Sequence, residues 1–125
     1  MTINSFVSLS LDPLLVMASI ARSSAQLPAF EASSAFAVNV LGEAQQHLSI
    51  SFARTANDRF RDLIWEAGIT GSPILAGVIA VIECRVTQRL DAGDHCVLIG
   101  EAVAARVYGG SPLLFFRGGY HGLSE

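Results

Sequence analysis

The chain has 125 residues, 51% of them apolar and only 15% charged, with a formal net charge of −3. That length bounds a single domain, residues 1–125, with room for a real core, and the scattered charge offers no basic stripe for a nucleic-acid backbone. The shortage of charge fits either a subunit interface or a membrane. The longest apolar run, residues 73–82, is well short of the ~20 residues a spanning helix needs, and no basic segment followed by an apolar one opens the chain. A homo-oligomer, most simply a homodimer, is therefore the expectation.

Asp12-Pro13 is a turn signal, and the apolar run over 14–21 that follows it reads as a buried strand. Residues 24–33 set Leu27, Phe30 and Glu31 at helical spacing with Pro28 in the first turn, which predicts a short helix. Residues 35–41 alternate and carry valines, so they predict a strand. After Gly42, the spacing of Ala44, Leu48 and Phe52 predicts a helix over 43–53 with those residues on its buried face. The stretch 58–66 has no clear pattern. Arg54, Arg59 and Arg61 stand close to Asp58 and Asp62 there, as on a solvated mixed-charge surface. From residue 74 the chain turns to β. A long strand over 74–90, a tight turn at 91–94, a second long strand over 96–108 ended by Gly109-Gly110, and a short strand over 113–117 follow in order. Two long antiparallel strands with shorter ones and two outer helices predict a mainly β fold, a small barrel with helical decoration. Cys84 and Cys96 lie in strand-like apolar runs and read as buried free thiols of a reducing cytoplasm.

No glycine-rich dinucleotide loop or P-loop occurs, no nucleophile elbow, and no paired histidines spaced for a metal. His47, His95 and His121 are scattered. Three features carry polar chemistry. The first is a set of small hydroxyl and amide residues, Thr2, Asn4, Ser5, Ser8 and Ser10, followed one strand later by Arg22, Ser23 and Ser24. Hydroxyls, backbone N–H groups and one guanidinium suit a phosphate held without a glycine loop. Ser8 and Ser10 equally fit the polar face of an alternating strand. The second is Gly93-Asp94-His95, which sets a histidine at a strand start near a barrel rim, or an ordinary surface histidine. The third runs from Phe115 to Tyr120. It fits an aromatic and a cation at a ligand mouth, or an apolar terminal strand followed by a glycine turn.

Together and in order, T-I-N-S-F-V-S-L-S-L-D-P, A-R-S-S, F-A-V-N-V-L with a following helix holding Gln45 and Phe52, G-S-P-I-L, I-E-C-R-V, G-D-H-C-V-L-I-G-E-A-V and P-L-L-F-F-R-G-G-Y resemble the flavin reductase-like family over the whole chain. The resemblance implies a Greek-key, FMN-binding split barrel. It implies a cytoplasmic NAD(P)H:flavin oxidoreductase that passes hydride from NADH or NADPH to FMN or FAD and supplies reduced flavin to a partner flavin-dependent monooxygenase. It places Thr2, Asn4, Ser5, Ser10 and Leu11 against the isoalloxazine or ribityl chain, and Ala21, Arg22, Ser23 and Ser24 on the flavin phosphate. Ala37 and Val38 would contact the flavin through their backbone. His95 is the catalytic candidate beside the nicotinamide, with Arg117, Gly118, Gly119 and Tyr120 bordering the nicotinamide nucleotide. No metal is expected. Such chemistry needs orientation rather than a protein nucleophile. Two other functions stay open: a flavin-binding electron carrier of the same fold, and an inactive interaction subunit. The resemblance also implies an N-terminal helix and first barrel strands ahead of Thr2. Met1 stands directly before Thr2, so the expectation is an N-terminally truncated domain with an opened sheet edge.

Overall fold

Two strands of 13 residues each, β6 (Ala80–Ala92) and β7 (His95–Val107), form the spine of the domain in the computed structural model, which describes residues 1–3, 5–54, 60 and 62–123. Gly93 and Asp94 alone connect them. Gly93 at φ 63° supplies the positive dihedral that the first central position of a type II′ turn needs. Before this hairpin come β1 (Val7–Leu11), β2 (Leu14–Ala21), helix α1 (Leu27–Ala32) and β3 (Ala35–Val40). A single 3-10 turn (Glu43–Gln45), helix α2 (Gln46–Ala53), β4 (Trp65–Ala67) and β5 (Pro73–Leu75) follow; β8 (Leu114–Phe116) and β9 (Gly119–His121) close the order. The main sheet runs β1-β2-β7-β6-β3, every neighbouring pair antiparallel, with β4-β5 and β8-β9 as separate two-stranded ribbons.

The sheet curls. Its register slips between Ser8 and Ser10, between Glu83 and Cys84, and between Val86 and Gln88, and such bulges bend a strand and raise its twist. The outcome is visible in the core: Val16, Ile20, Leu27, Phe36, Cys84, Cys96 and Leu98 form one buried cluster. Met1 and Phe6, ahead of one edge strand, and Val38, on the other edge strand, pack on that same cluster. Gly100 is required where the interior side chains approach the backbone most closely. A Cβ there would lie 2.8 Å from the Phe36 ring and 2.9 Å from Cys84 Cβ, so only hydrogen lets Phe36 fill the interior. A second cluster joins Leu48 and Phe52 of α2 to Leu75 and Val78.

The mainly β, barrel-type reading holds, β2 stands where the apolar run after Asp12-Pro13 put it, and β3 stands where the alternation put it. Four details differ. The run 74–90 is two strands, because Gly77 at φ 82° turns the chain between β5 and β6. The helix over 43–53 begins as a 3-10 turn, whose tighter period rotates Ala44 to the surface; Gln45 and Ser49 are buried beside Leu48 and Phe52 instead. The stretch past Arg117 is a strand, β9, and not only a glycine turn. The short strand over 113–117 ends at Phe116. Asp58, Arg59 and Arg61 of the mixed-charge stretch lie outside the described residues. Among the described residues no helix is long and apolar enough to cross a membrane. Cys84 and Cys96 are buried free thiols.

Candidate functional site

β2 ends at Ala21, whose register partner is His95, the first residue of β7. Past Ala21 the chain turns back on itself: Ser24 N–H donates to Ala21 O at 3.0 Å, and Gln26 N–H donates to Ser24 Oγ at 3.2 Å. Arg22 N–H donates to Asp94 O at 2.9 Å, which ties this turn to the tip of the β6–β7 hairpin. The Arg22 guanidinium pairs with the Asp91 carboxylate. His95 Nδ1 lies 2.7 Å from Asp94 Oδ1. That hydrogen bond and the imidazole charge beside it hold the Asp94 carboxyl below its ordinary value. One end of the sheet thus gathers a guanidinium, the Ser23 and Ser24 hydroxyls and a carboxylate-oriented imidazole. The first three are donors of the kind a phosphate takes.

Ser5 bonds the strand two residues earlier. Its Oγ donates to Ser19 O at 2.9 Å and accepts from Ser19 N–H at 3.3 Å. Ser19 and Ala21 share one face of β2, in register with Val97 and His95 of β7, because alternate residues of paired strands point the same way. This face is the one turned away from the Val16–Ile20 core. Ala21 and His95 therefore belong to one surface, and Ser5 is bonded to the β2 backbone two residues from it.

A second gathering forms on α2. Thr2 Oγ1 donates to Ser49 O at 2.6 Å and Thr2 N–H donates to Phe52 O at 3.2 Å. The Ser49 and Tyr120 hydroxyls are 2.9 Å apart, and the Tyr120 ring packs on Phe115 with centroids 5.2 Å apart. Arg117 and Gly118, at φ 51° and 75°, make the two-residue turn between β8 and β9, the pattern of a type I′ hairpin. The Arg117 guanidinium stacks 5.2 Å above the Phe116 ring. Gly119 opens β9.

The remaining candidates stand apart from these two gatherings. Ala37 and Val38 lie on edge strand β3 opposite Glu83 and Ile82, with Val38 against the core. Ser10 and Leu11 pair with Leu15 and Leu14, at the other end of β2 from Ala21, roughly 20 Å along the strand. Leu11 is 85% exposed. Asn4 lies outside the described residues.

Two buried polar residues are not among the candidates read from the sequence. Ser49 joins Thr2 to Tyr120 from a buried position, and its sequence signal is a hydroxyl between Leu48 and Phe52 on the buried helix face. Glu83 is buried, and its Oε1 accepts Thr70 N–H at 3.0 Å and Thr70 Oγ1–H at 2.8 Å. Burial pushes this carboxyl up, but the bonds from Thr70 N–H, the Thr70 hydroxyl and Ile69 N–H outweigh it and leave it below its ordinary value. Glu83 borders a cleft of about 460 Å³ with Glu66, Arg106 and Tyr108, toward the end of the hairpin opposite His95.

Residues 1–124 match the flavin reductase like domain family. The FMN reductase (NADH) SmoA of Agrobacterium fabrum is 44% identical over 96% of this chain and 68% of its own length. The reductase component of the flavin-dependent trigonelline monooxygenase of Acinetobacter baylyi is 42% identical over 95% of this chain, which spans only 38% of that relative. Among solved structures, nitrilotriacetate monooxygenase component B from Mycobacterium thermoresistibile superposes with a TM-score of 0.90 at 41% identity, covering 95% of this chain and 68% of that one. The NADH:FAD oxidoreductase SgcE6 of Streptomyces globisporus, in complex with NAD and FAD fragments, also gives 0.90, at 32% identity over 94% of this chain and 73% of that one.

Proposed function

The chain belongs to the flavin reductase like domain family, and from that membership we propose that it is an NAD(P)H:flavin oxidoreductase supplying reduced FMN or FAD to a flavin-dependent monooxygenase. The observation that carries the reading is the register pairing of Ala21 with His95, which sets a phosphate-type donor segment and an oriented imidazole at one end of one sheet. When bound, the nicotinamide and the flavin supply the hydride chemistry between themselves. The protein's part is to hold and orient. Arg22, Ser23 and Ser24 hold the phosphate, and Ser5, bonded to the Ser19 backbone, lies beside them toward the flavin. Asp94 fixes the His95 ring through Nδ1, leaving Nε2 to position the nicotinamide carboxamide. Tyr120, pinned on Ser49, gives the Arg117–Tyr120 hairpin a fixed base at the nicotinamide side, and Thr2, held on the same Ser49, meets the flavin.

The test is His95→Ala. The KM for NADH or NADPH is expected to rise, or hydride transfer to slow, with flavin affinity nearly unchanged. Unaltered nicotinamide kinetics would refute the role. Flavin binding without any nicotinamide oxidation by the wild type would support the electron-carrier reading instead.

The face of β1, β2, β7 and β6 turned away from the core supports a homodimer. Val7 and Leu90 on it are exposed, with Met17, Val97 and Ile99 half-buried between them, an apolar strip of the kind subunits cover. The two unpaired buried thiols favour a reducing compartment, the cytoplasm.

A further inference from the structure

We propose that Asp91 is a built-in competitor for the flavin phosphate: it holds the Arg22 guanidinium when no ligand is bound, and so lowers the affinity for phosphate-bearing flavins. The inference rests on the flavin reading above. Arg22 is the one cation between Ala21 and Ser24, so it is the residue through which this segment meets an anion. Its guanidinium pairs with Asp91, 69 residues away in sequence. The pairing follows from the backbone, because the Arg22 N–H bond to Asp94 O and the Ala21–His95 register pair lock the turn to the hairpin tip.

Exposure separates this pair from a device for stability. It is open to water: the Asp91 side chain is 89% exposed and that of Arg22 is 40% exposed. Exposed pairs add little to folding, whereas a guanidinium on a phosphate dianion makes short, charge-assisted, often bidentate bonds. Asp94, the other carboxylate at the tip, is occupied by His95, so Asp91 is the group that contends for Arg22. A phosphate must displace Asp91 before it gains Arg22, and it approaches against the negative charge of Asp91. The affinity is then reduced by the fraction of chains in which Arg22 is free. A protein that hands its flavin on benefits from such a brake.

The experiment is equilibrium flavin binding, followed by flavin fluorescence, with FMN and with riboflavin, which lacks the phosphate. Asp91→Asn is expected to tighten FMN by roughly two- to fivefold, the range of an exposed ion pair, and to leave riboflavin unchanged. The gain is expected to shrink as salt rises. Arg22→Ala is expected to remove the preference for FMN over riboflavin, and Asp91→Asn to have no effect in that background. Weaker FMN binding by Asp91→Asn would show that Asp91 buttresses Arg22 and would overturn the proposal. Equal tightening of both flavins, or no change in either, would overturn it as well. A wild type that binds neither flavin would overturn the flavin reading itself, a result distinct from these.

Discussion

Replacing Glu83 by glutamine removes one charge and almost no volume from a site where the charge is used. Glu83 is 4% exposed. Its Oε1 takes the Thr70 amide and hydroxyl, and a Cβ on Gly68 would stand only 2.1 Å from that oxygen. The carboxylate is thus pressed against the 68–70 backbone. Glutamine keeps one acceptor but turns an NH2 group toward backbone donors. Hydrogen bonds to a charged group are worth about 1.5–3 kcal/mol, and a buried donor left unpaired costs about 1–3 kcal/mol, so a net loss of about 2–3 kcal/mol is expected at neutral pH. With a urea dependence of roughly 1–3 kcal/mol per molar, the unfolding midpoint falls by about 0.7–3 M. The folded carboxyl lies below the ordinary 4.5, so its contribution is present above that pH and is lost as pH falls through the lower folded value. Urea unfolding across acid and neutral pH reads both effects. The wild type and Glu83→Gln are expected to converge in acid. A variant as stable as the wild type at neutral pH, or a gap unchanged in acid, would refute the reasoning.

Gly100→Ala forces a methyl into the Phe36 ring and Cys84 Cβ and is expected to cost about 1–3 kcal/mol in denaturant unfolding. Phe36→Leu in the same chain should recover part of that cost, and an unaffected midpoint would contradict the close approach. Burial, with Glu83 nearby, pushes the Cys84 thiol up from 9.0 to about 11. Its stabilising contribution, on the order of 3 kcal/mol, is present below pH 9 and is lost as pH rises toward 11. Cys84 should accordingly resist alkylation in the folded chain at neutral pH and react once the chain is unfolded. Modification of Cys84 in the native protein, read by mass, would contradict this.

The parts of the fold legible in the sequence are those where local pattern and tertiary burial agree. Residues 14–21 form an apolar run set off by the Asp12-Pro13 turn, residues 35–41 alternate because one face meets the Val16–Ile20–Phe36 core, and the glycine at 93 marks the hairpin because no other residue turns it so cheaply. The break between β5 and β6 was hidden in a continuous apolar run, where periodicity carries no information. β9 was masked by its flanking glycines. Of the candidate site, the residue types were legible from the motifs, but their grouping was not. That grouping comes from register: Ala21 meets His95, while Ser10 and Leu11 fall at the far end of β2. Ser49, Glu83 and Asp91 escaped because each acts on a partner at least 13 residues distant, a relation that only the folded chain creates.

The measurement that bears most directly on the functional reading is the oxidation of NADH and NADPH by the purified chain, followed by loss of reduced-nicotinamide absorbance with FMN or FAD added. Turnover that requires both a nicotinamide and a flavin, with KM for the nicotinamide raised in His95→Ala, is expected. Flavin bound with no oxidation of either nicotinamide would contradict the proposed activity.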